Sequence, residues 1–188
     1  MQYPRIVFAS LAAVLALGAA PSFAQMMKEQ TVTVGGAPMY PSKNIIQNAV
    51  NSKDHTTLVA AVKAAGLVDT LEGKGPFTVF APTNAAFGKL PAGTVDTLVK
   101  PENKATLDKI LTYHVVPGRI TAQQIAAMAA RHGGTATLKT VQGENLRFMK
   151  NGSGWVVVDA KGDRARITIA NVMQSNGVIH VVDKVLMP

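Results

Sequence analysis

Hydrophobic and polar positions give the chain three textures. From Ile6 to Ala20 the residues are apolar and uncharged, with Arg5 before them and Ser22-Phe23-Ala24 after them. About 15 apolar residues are short for a membrane span, and the small-x-small ending is that of a secretory signal. Residues 1–24 therefore read as a signal peptide, with the mature chain starting at Gln25. Residues 25–40 are polar or small, carry Gly35-Gly36 and Pro38, show no sustained period, and read as a flexible leader. Regular signals begin at Pro41, and 41–188 reads as one domain.

That domain opens helical. Ser42 is placed to cap a short helix carrying Ile45, Ile46, Ala49 and Val50. Leu58, Val59, Val62 and Ala65 share one face of a helix over 56–65, which Gly66 closes. Phe77-Thr78-Val79-Phe80 is a dense apolar strand ended by Pro82, and Thr83 can cap the turn that follows. Leu107, Ile110 and Leu111 mark a helix running into an expected strand, Tyr113-His114-Val115-Val116. Thr121 with Gln124 forms a capping box for a helix through about Ala130.

The last third is β. Apolar or alternating runs occur at 135–140, 145–149, 155–159, 166–170 and 178–182, separated by Gly143, Asn151-Gly152-Ser153-Gly154, Lys161-Gly162-Asp163 and Asn176-Gly177. Helices gathered first and antiparallel strands gathered last predict an α+β domain.

Composition narrows the class. Hydrophobic residues make up 47% of the 188 and cysteine is absent, so stability rests on an ordinary core without disulfides or thiolate sites. From Gln25 onward, 18 basic and 11 acidic side chains leave a net charge of +7. The basic residues are thinly spread, densest at Lys161, Arg164 and Arg166, and no aromatic is interleaved with them as base stacking requires. A mildly cationic surface, not a nucleic-acid site, is the reading.

The usual catalytic sets are missing. His55, His114, His132 and His180 include no pair at helical ligand spacing, no serine sits in a Gly-x-Ser-x-Gly elbow, and no phosphate loop is present. No catalytic residue, metal ligand or cofactor is assigned. Asp159 and Asp163 flank a turn and are explained by turn chemistry.

Three segments resemble the fasciclin domain family: Gly75-Pro-Phe-Thr-Val-Phe-Ala-Pro-Thr-Asn-Ala-Ala-Phe87, the central Ile110-Leu-Thr-Tyr-His-Val-Val116, and Asn176-Gly-Val-Ile-His-Val-Val-Asp-Lys-Val-Leu186. The resemblance spans 41–188 and implies a wedge of antiparallel strands packed with several helices. It also implies a non-enzymatic exported protein, periplasmic or extracellular, in cell adhesion or surface and envelope interactions. The partner would be a protein or polysaccharide. A further branch of the family implies an alternative, a carrier of an apolar small molecule such as a carotenoid. By the same resemblance Tyr113 and His114 are candidate interaction residues, and Thr83, Asn84 and His180 belong to structural motifs. No transmembrane segment remains after signal removal, and an exposed strand edge leaves oligomer formation open.

Overall fold

The computed structural model describes residues 30–188; the expected signal peptide and the start of the leader lie outside them. The hairpin of β1 (Val32–Val34) and β2 (Ala37–Met39) is followed by α1 (Ile45–Ala49), α2 (Thr56–Ala65), α3 (Val68–Glu72) and β3 (Phe77–Pro82). Next come α4 (Asn84–Phe87), α5 (Thr94–Leu98), α6 (Lys104–Tyr113), β4 (Val115–Pro117) and α7 (Ala122–Arg131). Five strands finish the chain: β5 (Thr135–Lys139), β6 (Asn145–Asn151), β7 (Gly154–Val158), β8 (Arg164–Gln174) and β9 (Gly177–Val182).

β3 to β9 form one seven-stranded sheet in the order β4-β3-β9-β8-β7-β6-β5. The sheet is antiparallel except between its second and third strands, where β3 and β9 run parallel, Phe77 opposite Gly177 through Pro82 opposite Val182. This pair is buried on both faces, which is why its strands read as continuous apolar runs and not as alternation. Val79, Ala81, Ile179 and Val181 face one core with Leu58, Val62, Leu107 and Ile110 of the helices. Phe80 and Val182 face a second core with Ile125 and Ala129 of α7 and Leu146, Phe148 and Val157 of the sheet. The sheet curls until the segment after β5 reaches β4, where the Val141 N–H donates to the Val115 carbonyl at 2.8 Å.

Local signals explain most element ends. Gly66 closes α2 in the left-handed region, and Thr121 with Gln124 forms the expected capping box on α7. The cap of α1 is Asn44, boxed with Gln47, and not Ser42. The leader expected over 25–40 is corrected from Val32 on: Gly35 and Gly36 turn a hairpin whose Val34 and Met39 are buried in the helical core. β8 outruns its expected end because Asn171 adopts φ +59 at a register shift, and the strand resumes to Gln174.

Candidate functional site

The three motif segments meet at the centre of the fold. The first and last form the parallel β3–β9 pair. The Phe77 N–H donates to the Asn176 carbonyl at 3.0 Å and the Thr83 N–H to the Val182 carbonyl at 3.3 Å. Asn176 binds with its side chain as well: Oδ1 accepts from the Ile45 N–H at 3.0 Å, and Nδ2 donates to the carbonyls of Leu71 and Gly73 at 2.7 and 2.8 Å. One buried amide thereby joins the start of α1 and the end of α3 to the sheet. In the sequence it reads as a turn former at the head of the last motif segment.

The central segment is corrected from a strand to a helix end. Tyr113 is the last residue of α6 and His114 its cap, in the right-handed helical region, with β4 starting at Val115. Both side chains are buried, Tyr113 at 0% and His114 at 2% exposure, so neither is available as a surface contact. The Tyr113 hydroxyl accepts from the Ala160 N–H at 2.8 Å and lies 3.2 Å from the Asn145 carbonyl, to which it donates. The His114 Nδ1–H donates to the Ile110 carbonyl at 2.7 Å, and Nε2 accepts from the Leu186 N–H at 3.0 Å. Those partners fix the tautomer, since a carbonyl can only accept and an amide N–H only donate. Full burial lowers the His114 pKa to about 4, and the Ile110 carbonyl and Asp159 offset this only in part.

Asp159 completes this group. Its Oδ1 accepts from the Asp163 N–H at 2.8 Å, the expected turn chemistry, while Oδ2 accepts from the Met187 N–H at 3.1 Å. His114 and Asp159 thus hold consecutive backbone groups of the C-terminal segment. A histidine, a tyrosine and a carboxylate lie near one another here, but their polar atoms are engaged by backbone and closed to solvent.

The remaining motif residues also build scaffold. The Thr83 hydroxyl caps α4 by accepting from the Ala86 N–H at 3.2 Å. Asn84 caps a neighbouring helix: Oδ1 accepts from the Thr57 N–H at 3.0 Å and Nδ2 donates to the Lys53 carbonyl at 2.8 Å. His180 stacks on Phe80 at 5.4 Å; its Nε2–H donates to the Ile120 carbonyl at 2.9 Å and Nδ1 accepts from the Asn171 N–H at 3.3 Å. Burial lowers its pKa too.

Sequence reasoning gave no role to a pair at the helical core, Ser52 and His55, three residues apart. The Ser52 hydroxyl lies 2.8 Å from His55 Nδ1, while His55 Nε2 is buried without a hydrogen bond. Burial lowers the His55 pKa, partly offset by the Ala81 backbone and Asp54. The pair borders a cavity of about 80 Å³ whose other walls are mostly apolar, among them Met39, Ile45, Leu58, Val62 and Ile179, with Thr70, Thr112 and His114. Ile125 and Ala129 of α7 are buried in the other core. Among the described residues no group of three or more His, Asp or Glu side chains is placed to hold a metal ion, and no helix is long and apolar enough to cross a membrane.

Comparison with known proteins gives the arrangement its place. Protein sll1483 of Synechocystis sp. is 48% identical over 161 residues, covering 85% of this chain and 82% of that protein. The immunogenic protein MPB70 of Mycobacterium bovis is 37% identical over 145 residues, covering 74% of this chain and 66% of that protein. Transforming growth factor-beta-induced protein ig-h3 of Sus scrofa is 37% identical over 131 residues, 70% of this chain and 17% of that protein. In three dimensions the chain matches a FAS1 domain pair from the insect cell adhesion molecule Fasciclin I with a TM-score of 0.70 at 16% identity. The match covers 86% of this chain and 59% of that one, a likeness of fold. The family model of the Fasciclin domain matches residues 53–188, and the chain belongs to the fasciclin domain family.

Proposed function

We propose that this chain is an exported, non-enzymatic fasciclin-domain protein that mediates cell adhesion or cell-surface and envelope interactions. The observation that carries the reading is the engagement of the motif side chains. Tyr113, His114, Thr83, Asn84, His180 and Asn176 are tied to backbone groups, as a binding scaffold requires. Recognition then falls to the outer surface. Similarity to a fasciclin cell adhesion molecule and to the cell surface glycolipoprotein MPB83 of Mycobacterium bovis supports the same class of role. Its compartment is periplasmic or extracellular, following the signal peptide read over residues 1–24. Surfaces coated with the purified chain from Gln25 to Pro188 should retain cells of its host above an albumin-coated control; equal retention would overturn the reading.

The cavity beside Ser52 and His55 favours a second reading, a carrier of an apolar small molecule such as a carotenoid. At about 80 Å³ the space holds a small apolar group and not a whole polyene, so a carrier would have to part the helices from β3 and β9. Protein purified gently from its own host should be colourless and have the mass of the chain alone under the adhesion reading. Visible absorption bands with solvent-extractable mass would put the carrier first.

A further inference from the structure

The geometry points to the outer face of β5–β8 as a docking surface for an acidic polysaccharide, a linear chain bearing carboxylate or sulfate groups. The inference rests on the proposed surface role and names its partner class.

Alternation sets the face. Ala136, Leu138, Leu146, Phe148, Val157, Ala165 and Ile167 point into the second core, so Lys139, Arg147, Arg164 and Arg166 point outward, and all four are exposed. Register brings them together. Arg147 and Arg164 both stand opposite Val158 from its two sides, while Met149 and Arg166 flank Val156 in the same way. Two strand spacings separate Arg147 from Arg164, about 10 Å, and two residues along one strand separate Arg164 from Arg166, about 7 Å.

Val156 and Val158 are buried at 7% and 5% exposure, belong to neither core, and stand on this outer face between Arg147, Met149, Arg164 and Arg166, whose stems are long enough to cover them. That leaves guanidinium groups over a flat, closed floor. β5, β6, β7 and β8 contain no Asp or Glu. Nearby carboxylates are engaged: Asp163 pairs with Lys184 at 2.8 Å, Asp159 holds backbone amides, Asp183 accepts the Arg166 N–H at 2.7 Å, and Glu144 accepts from the Gln142 side-chain amide at 3.2 Å. Among the described residues the side chains of Arg147, Arg164 and Arg166 have no hydrogen bond or ion pair.

The face distinguishes among polyanions. Guanidinium forks match carboxylate, sulfate and phosphate alike in bidentate fashion, so the rest of the face decides among them. No exposed aromatic offers a stacking platform for bases, since Phe148 points inward and Trp155 packs against the second core. The only large apolar side chain standing out from the face is Met149, at 39% exposure, too little to insert into a lipid surface.

The test is binding of the full mature chain to immobilised alginate, with neutral dextran, single-stranded DNA and phosphatidylglycerol vesicles alongside at one ionic strength. R147Q/R164Q/R166Q keeps the stems over the valines and removes three charges. K74Q/K100Q/K109Q removes three from exposed lysines on the helical side. The expected result is retention on alginate alone, weakened about tenfold by the arginine triple and less than about twofold by the lysine triple. Equal weakening by both triples would overturn the site, leaving only net charge. Tighter binding to DNA or vesicles, or none to alginate, would overturn the partner class. Cell retention on the coated protein, measured in parallel, separates that failure from failure of the adhesion reading.

Discussion

Gly177 lies against Phe77 across the parallel β3–β9 pair so closely that a β-carbon at 177 would overlap the Phe77 carbonyl oxygen. That oxygen belongs to backbone paired within the sheet, so it has no flexible end to move aside. The two motif segments, a hundred residues apart in sequence, are therefore fitted to one another atom against atom. Gly177→Ala should cost about 3 kcal/mol or more. Gly36→Ala, in open space at φ +77, should cost only about 1 to 2 kcal/mol from backbone strain. Denaturant midpoints of the two variants check the contrast; equal midpoints would remove the close approach as the reason for glycine.

Asn176 carries a different load. Asn176→Ala strands the Ile45 N–H and two carbonyls in the interior, and should destabilise by about 3 kcal/mol. Asn176→Asp keeps the acceptor but cannot donate to Leu71 and Gly73, so it should fall well short of wild type. Thermal unfolding measures both.

Acid should loosen the fold through His114. Its folded pKa, about 4, lies below the unfolded value of 6.5, so below pH 6.5 the unfolded chain binds the proton first. Stability is thus complete above pH 6.5 and falls as pH drops toward 4. At 1.36 kcal/mol per unit, His114 alone accounts for a loss of about 3 kcal/mol by pH 4. His55 and His180, lowered in the same direction, add to it. Unfolding curves between pH 7.5 and 4.5 should show a steep slope in wild type and a shallower one in His114→Phe. That variant should start about 2 kcal/mol less stable, because the Ile110 carbonyl and the Leu186 N–H lose their partner. An unchanged slope would contradict the buried neutral imidazole.

The cavity separates the two functional readings by a simple substitution. Val62→Ile adds one methylene at its wall and should raise stability by about 1 kcal/mol with cell retention unchanged. A carrier would instead lose ligand mass in the same variant.

How far the sequence reached depends on range. Local chemistry was readable: Gly66 as a helix stop, Thr83 as a cap and Thr121 with Gln124 as a box all stand as expected. Periodicity placed β5, β6 and the start of β8 because each alternates between a buried and a wet face. It misjudged Tyr113-His114, since apolar spacing cannot say at which residue a helix gives way to a strand, and the handover falls at Val115. It missed the hairpin at Val32–Met39 because three-residue strands are too short to show alternation, although Gly35-Gly36 marks the turn. Nothing local announces that β3 and β9 run parallel, or that Asn176 reaches Ile45 across 131 positions. Asn84 is legible only as part of a motif, because the donor it accepts from lies 27 residues earlier, at the start of α2.

The most direct measurement of the central claim is attachment of the host after deletion of this gene, with complementation by wild type and by Tyr113→Phe. The account predicts that deletion lowers attachment and that both versions restore it. The Tyr113 hydroxyl is buried structure, and its loss should weaken the fold by only about 1 to 3 kcal/mol. Unchanged attachment on deletion would contradict the surface role. Failure of a folded, exported Tyr113→Phe protein to restore it would contradict the assignment of the motif residues to scaffold.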